Sequence, residues 1–238
     1  MSVCDSWGEE GEGMCATFHA QLDELIIDLV RMTRLASQMM TNAAIALHQA
    51  DAPLAAVVIA KRDQMNAMHD NTEQRCIIVL ARREPVAGDP RAVVAVLRAV
   101  RHLKRMGNLA RHIALIARFK HPNPMIADEV RPVLARMSLL ASQFADDAAD
   151  AIERRDCVSA GQLAEADHEV NALRRHLFGI LFATDWSHGV EHAVDAALIG
   201  RYYERFADHA VAVAAEARYL ANCRLPESHG LETGSRLR

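Results

Sequence analysis

An all-α chain of two tandem three-helix bundles, related by an internal repeat, is what these 238 residues call for. Three observations lead there. Apolar residues recur at three- and four-residue spacing over long stretches, the period of a helix packed on one face. Breaks carrying proline or glycine cut those stretches into six. The second half of the chain then restates the first. Composition agrees, because hydrophobic residues make up 51 % of the chain and aromatics only 5 %. Such a core is Ala, Leu, Val, Ile and Met packed between helices, not aromatic layers between sheets.

The first helix spans Phe18 to Gln49, with Leu22, Leu25, Leu29, Met32, Met39 and Leu47 along one stripe. Asp51 reads as the N-cap of a second helix, with Pro53 in its first turn, running to about Arg83. Pro85 to Pro90 is a loop, and Asp89 before Pro90 has the placement of an N-cap followed by a proline at the first helical position, worth roughly 1 kcal/mol. The third helix runs from about Pro90 to Phe119. His121-Pro-Asn-Pro124 is the central boundary. Helices follow at about 126–155, 157–183 and 189–221, with the Asp185–Gly189 loop standing where Pro85–Pro90 stands in the first half.

The repeat is visible in residues. Ala36-Ser37-Gln38 returns as Ala141-Ser142-Gln143 and Asn66-Ala67 as Asn171-Ala172, both displaced by 105. Arg101-x-x-Lys104-Arg105 returns as Arg201-x-x-Glu204-Arg205, displaced by 100. Each half is a trio that must stack on its twin to bury a continuous core. The expected organisation is a disordered, acidic and glycine-rich extension over 1–14, bundles over 15–122 and 123–225, and a polar tail over 226–238. A single irregular six-helix bundle is the alternative.

A net charge of −4 and a pI near 6.3 speak against a general nucleic-acid binder. No apolar run approaches the length of a membrane span, and the N-terminus lacks a basic and then apolar leader, so a cytoplasmic protein without membrane insertion is expected. The five cysteines are scattered and contain no C-x-x-C pair, which predicts free thiols.

The chemistry concentrates in Arg201-Tyr-Tyr-Glu204-Arg205-Phe-Ala-Asp208-His209. Glu204 and Asp208 stand one turn apart on one helix face, where like charges cost roughly 0.2–0.5 kcal/mol unless a cation lies between them. Arg201 and Arg205 each precede a carboxylate by three residues. The segment is therefore a self-neutralised charged face or half of a cation site.

Other constellations are weaker. His188-Gly-Val-Glu191-His192 fits H-x-x-E-H, but Gly189 lies in the turn, and His188 is expected beside Trp186 in the loop. Glu165-Ala-Asp-His168 fits one E-x-x-H element of a di-iron bundle without its partners, so a solvated face is expected. His48, His69 and His112 look scattered and superficial. No glycine-rich phosphate loop, nucleophile elbow or kinase set is present. Arg91, on the first turn of the third helix, opposes the helix dipole and is expected to make a salt bridge or a partner contact.

Several segments carry a resemblance: His19-x-Gln-Leu-Asp-Glu-Leu25, Pro85-Val-Ala-Gly-Asp89-x-Arg91, Arg105-Met-Gly107-x-Leu-Ala110, His168-x-Val-Asn171, Arg175-His-Leu-Phe178, Trp186-x-His188-Gly-Val190, Ala193-Val-Asp195 and Arg201-x-Tyr-Glu204-Arg-Phe-Ala-Asp208-His-Ala210. In this order, over about residues 15–222, the chain resembles the PhoU family of phosphate-uptake regulators and is similar to its actinobacterial branch. The resemblance implies a cytoplasmic, non-enzymatic negative regulator that couples the phosphate ABC transporter ATPase to a sensor histidine kinase. It also implies metal clusters held by E/D-x-x-x-D carboxylates on the third helix of each bundle. Those positions fall on Glu204 and Asp208 in the second half, but on Lys104 and Asn108 in the first, with His102 where the family usually has Asp. A fixed cation and a neutral amide cannot neutralise a hard metal ion, so no first-half site is expected.

Two functions follow as expectations. One is an adaptor that docks partners through charged faces, with Arg91, Arg201 and Arg205 as contacts and a homodimer as its assembly. The other is a bundle binding iron or zinc, with a storage or hydrolytic role, using Glu204 and Asp208 as ligands of a divalent or iron ion.

Overall fold

A computed structural model describes residues 9–81, 90–121 and 126–221. Six helices follow one another: α1 (Glu9–Gln49), α2 (Ala52–Ala81), α3 (Pro90–Lys120), α4 (Arg131–Arg154), α5 (Cys157–Leu181) and α6 (Gly189–Ala221). No strand occurs among the described residues. α1 begins at Glu9, so residues 9–14, expected to be disordered, belong to a helix. The expected Pro85–Asp89 loop, the Asp89 cap, the Pro122–Pro124 break and the tail lie outside the described residues.

The two trios are arranged as the repeat requires. Among the described helices α2 packs on α1 and α3 alone, and α5 on α4 and α6 alone. The halves join through two seams, α1 on α4 and α3 on α6, so these four helices form the centre and α2 and α5 lie outside them. Both seams run antiparallel. Along the first, Arg155 pairs with Asp23, Arg34 with Asp146 (3.3 Å) and with Asp150, while Ser37 Oγ donates to the Ser142 carbonyl (3.2 Å). Along the second, His102 meets His209 and His112 meets Tyr202. Ser37 and Ser142 are repeat equivalents that touch each other, which places the pseudo-twofold axis between them.

The shift of displacement from 105 to 100 has a structural cause. α2 and α5 begin at equivalent positions, Ala52 and Cys157, but α2 has 30 residues and α5 has 25. The helix ends before them are also equivalent. Ala50 and Arg155 both adopt left-handed backbone with φ of 52°, and Asp51 N–H and Asp156 N–H each reach back five residues to Ala46 and Ala151 carbonyls at 2.9 Å. Asp51 then caps α2, its Oδ1 accepting from Leu54 N–H at 2.9 Å.

Small side chains let the third helices lie close to the second. A Cβ on Gly107 would meet Met65 Cγ at 2.9 Å, and one on Gly200 would meet Leu177 Cδ2 at 2.5 Å. Tyr203 and Phe206 fill the second bundle and are completely buried, each contributing roughly 1.5–3 kcal/mol of the apolar driving force. Burial holds the Tyr203 hydroxyl well above the usual phenol range. It also pushes the Cys76 thiol up to about 12, leaving it inert.

Candidate functional site: two charged bridges of opposite polarity

Glu204 faces α5 from the middle of α6 and is only 5 % exposed. A carboxylate so buried needs a cation, and here it has two. Arg201, one turn earlier on α6, donates from Nη1 to Glu204 Oε2 at 2.6 Å. Arg174, on α5, brings its Nε to 3.2 Å from Glu204 Oε1, an ion pair not aligned as a hydrogen bond. The Arg174 guanidinium also sits 5.9 Å from the centre of the Phe178 ring. Asp208 and Arg205 are exposed.

The equivalent place in the first bundle has its charges exchanged. Lys104 stands on α3 where Glu204 stands on α6, and His69 on α2 where Arg174 stands on α5. Lys104 Nζ lies 3.6 Å from Asp70 Oδ1 and 3.4 Å from His69 Nδ1, while His69 Nδ1 and Asp70 Oδ1 are 2.8 Å apart. The hydrogen bond from His69, assisted by the Lys104 charge, draws the Asp70 carboxyl below its usual range. In one bundle the outer helix supplies the cation and the third helix the anion; in the other the roles are reversed. His69, expected at the surface, is buried, while its partner Asp70 is exposed.

At both places cations of the chain itself stand against the groups that would ligate a metal. Ligand atoms of His69, Asp70 and Glu73 lie within 4.8 Å of one another, but the Lys104 ammonium sits against two of them. In the second bundle both Glu204 oxygens already face guanidinium groups, and a dication there would have to displace Arg201 and Arg174. Asn108 supplies no charge.

The remaining motifs resolve locally. His188 packs on Trp186, ring centres 4.9 Å apart, and its Nε2 lies 3.0 Å from Glu129, whose carboxyl that hydrogen bond holds down. The His192 ring centre is 6.3 Å from that of His188, and among the described residues His188, Glu191 and His192 do not bring three ligand atoms together. Trp186 Nε1 donates to the Gly189 carbonyl at 3.0 Å, and Gly189 enters α6 with φ of 81°, a conformation glycine adopts freely. Trp186, Glu129 and His176 line an open cleft of about 420 Å³ between the α5–α6 turn and the start of α4. His168 is exposed, while the Glu165 side chain lies outside the described residues. Arg91 is exposed on the first turn of α3.

Reading the sequence alone missed Arg174, His69 and Asp70. Arg174 and His69 occupy equivalent places, 105 positions apart, but unlike residues there carry no local signal of a partner.

Comparison with known proteins agrees with the architecture. The family described as PhoU domain matches twice, over residues 29–117 and 134–217, one match per bundle. The phosphate-specific transport system accessory protein PhoU homolog 1 of Mycobacterium leprae is 40 % identical over 214 residues, covering 90 % of this chain and 96 % of that protein. Homolog 2 of Mycobacterium tuberculosis is 39 % identical over 213 residues, 90 % of this chain and all of its own length. The crystal structure of PhoU from Pseudomonas aeruginosa superposes with a TM-score of 0.75 at 26 % identity, covering 86 % of this chain and 99 % of its own. With the twofold match, the relatives along nearly its whole length and the shared fold, the chain belongs to the PhoU family.

Proposed function

We propose that this protein is a cytoplasmic negative regulator of phosphate uptake and of the phosphate-starvation response. It acts as an adaptor between the phosphate ABC transporter ATPase and a sensor histidine kinase, and catalyses nothing itself. The accessory role in phosphate-specific transport that its mycobacterial relatives are named for supports the transport assignment. The observation that carries the adaptor reading is the pair of charged bridges. Glu204 and Lys104, two of the positions where the resemblance puts metal ligands, are engaged in internal ion pairs, and Arg91 and Arg205 are exposed on the helical scaffold. No helix among the described residues is long and apolar enough to cross a membrane.

The test is genetic and biochemical. Deleting the gene in a strain without a paralogue turns on phosphate-scavenging genes in phosphate-rich medium; unchanged expression refutes the proposal. Pull-down from phosphate-replete cells recovers the ATPase or the kinase.

The metal-binding alternative makes its own demand. It requires stoichiometric iron or zinc after purification without chelators, lost on Glu204→Gln with Asp208→Asn. Elemental analysis without bound metal removes it. A homodimer belongs to the same proposal: Val190, Val194 and Leu198 form an exposed apolar stripe on α6 suited to a second copy. Sedimentation that gives only the monomer mass rejects the dimer.

A further inference from the structure

The α3–α6 seam carries a feature that neither charged bridge explains. At its midpoint His102 and His209 meet with Nδ1 to Nδ1 at 3.0 Å and ring centres 5.2 Å apart. The helices are antiparallel there, so moving one turn on from His102 along α3 and one turn back from His209 along α6 brings Arg105 level with Arg205. Arg101 precedes His102 on the same exposed edge. Arg105 and Arg205 both act electrostatically on His209, and Arg101 on His102, so three cationic side chains and two imidazoles from the two halves lie around this seam. Among the described residues no carboxylate pairs with Arg101, Arg105 or Arg205, although ion pairs are common elsewhere on the surface.

So much like charge at one point destabilises a fold unless something neutralises it. It is also unexpected in a chain of net charge −4. We propose that the α3–α6 seam is a binding site for a compact, doubly charged oxyanion of the phosphate class, held by Arg105 and Arg205 with Arg101, His102 and His209 around it. Compactness selects the ligand. The cations gather within about one turn of two crossing helices, which suits a tetrahedral anion with several acceptor oxygens, whereas an acidic peptide needs a long stripe. No sequence motif announces such a site, because half of it comes from each bundle.

The gathered positive charge acts on the histidines themselves. Burial, then the charges of His102, Arg205 and Arg105, lower His209 to about 4, and burial with Arg101 lowers His102. Both rings are thus neutral at ordinary pH, and one donates its Nδ1–H to the other. A bound oxyanion accepts from both rings and offsets the guanidinium charges, so binding takes up a proton and raises the His209 pKa. Asp208, next to His209 on α6, is the carboxylate adjoining the seam in sequence.

The site goes beyond the adaptor function, and either can fail without the other. The test is calorimetric titration of the purified, full-length chain with inorganic phosphate, sulfate, ATP and nitrate at constant ionic strength. NMR titration of the histidine ring protons, with sulfate as the non-titrating probe, accompanies it. The expected result is saturable one-to-one binding of phosphate and sulfate, no matching response to nitrate, and an upward shift of the His209 titration. Binding of ATP but of neither phosphate nor sulfate overturns the compact-anion site. Arg105→Gln with Arg205→Gln weakens binding at least about tenfold, one charged hydrogen bond's worth, while Arg105→Lys with Arg205→Lys retains part of it. These side chains are exposed, so unchanged melting is expected for both variants. Absence of saturable binding, an equal response to nitrate, or unchanged affinity in the glutamine variant overturns the proposal.

Discussion

At the scale of single residues, Glu204 shows how burial decides what a carboxylate can do. Its helix neighbour Asp208 is exposed, so the pair that looks alike in sequence divides into one structural and one solvent-facing group. Arg174→Ala leaves Glu204 buried with only Arg201 and is expected to cost about 2 kcal/mol, read from urea unfolding. Glu204→Gln is milder, about 1 kcal/mol, because both arginines are partly exposed and regain water. The exchanged polarity makes a sharper prediction. Lys104→Glu alone sets a carboxylate against Asp70 and destabilises the first bundle, and adding His69→Arg restores most of the loss. Equal stability of the single and double variants contradicts the bridge. His209 adds a pH dependence. Its folded pKa is lowered to about 4 from the ordinary 6.5, so its contribution is present above about 6.5 and is lost as pH falls toward about 4. His209→Asn is expected to flatten the acid limb of the stability profile over that window.

At the scale of helices, boundaries were easier to read than interfaces. Asp51 and Pro53 announce the start of α2 through local chemistry, and the cap is present. α4 ends on Arg155 and α1 on Ala50, both left-handed without glycine, and no local signal marks them. Such a residue costs about 1 kcal/mol relative to glycine. Ala50→Gly is expected to raise thermal stability by up to that amount. Arg155→Gly gains less, because it also loses the contact with Asp23. The greater length of α2 relative to α5 was legible only as a change in repeat displacement; the five extra residues became its cause once both helices were seen.

At the scale of the whole molecule, two seams hold the trios together, and neither trio is complete alone. Ala36, Ala141 and Ala145 are buried near the α1–α4 crossing. A truncated chain ending at residue 121 exposes both seams and is expected to self-associate or to lose cooperative unfolding, measured by sedimentation and calorimetry. A cooperative monomer indistinguishable from half of the full chain contradicts a joint core.

Periodicity, breaks and repetition settled the six helices, their order and their grouping in threes, because these depend on residues near one another along the chain. The same local reading found Glu204 and its partner Arg201, three positions apart on one turn. It could not find Arg174, the burial of His69, or the meeting of His102 with His209, 107 positions away. Which charges become buried and which cations converge is decided by how helices face each other across a seam, and that register exists only once the chain has closed on itself.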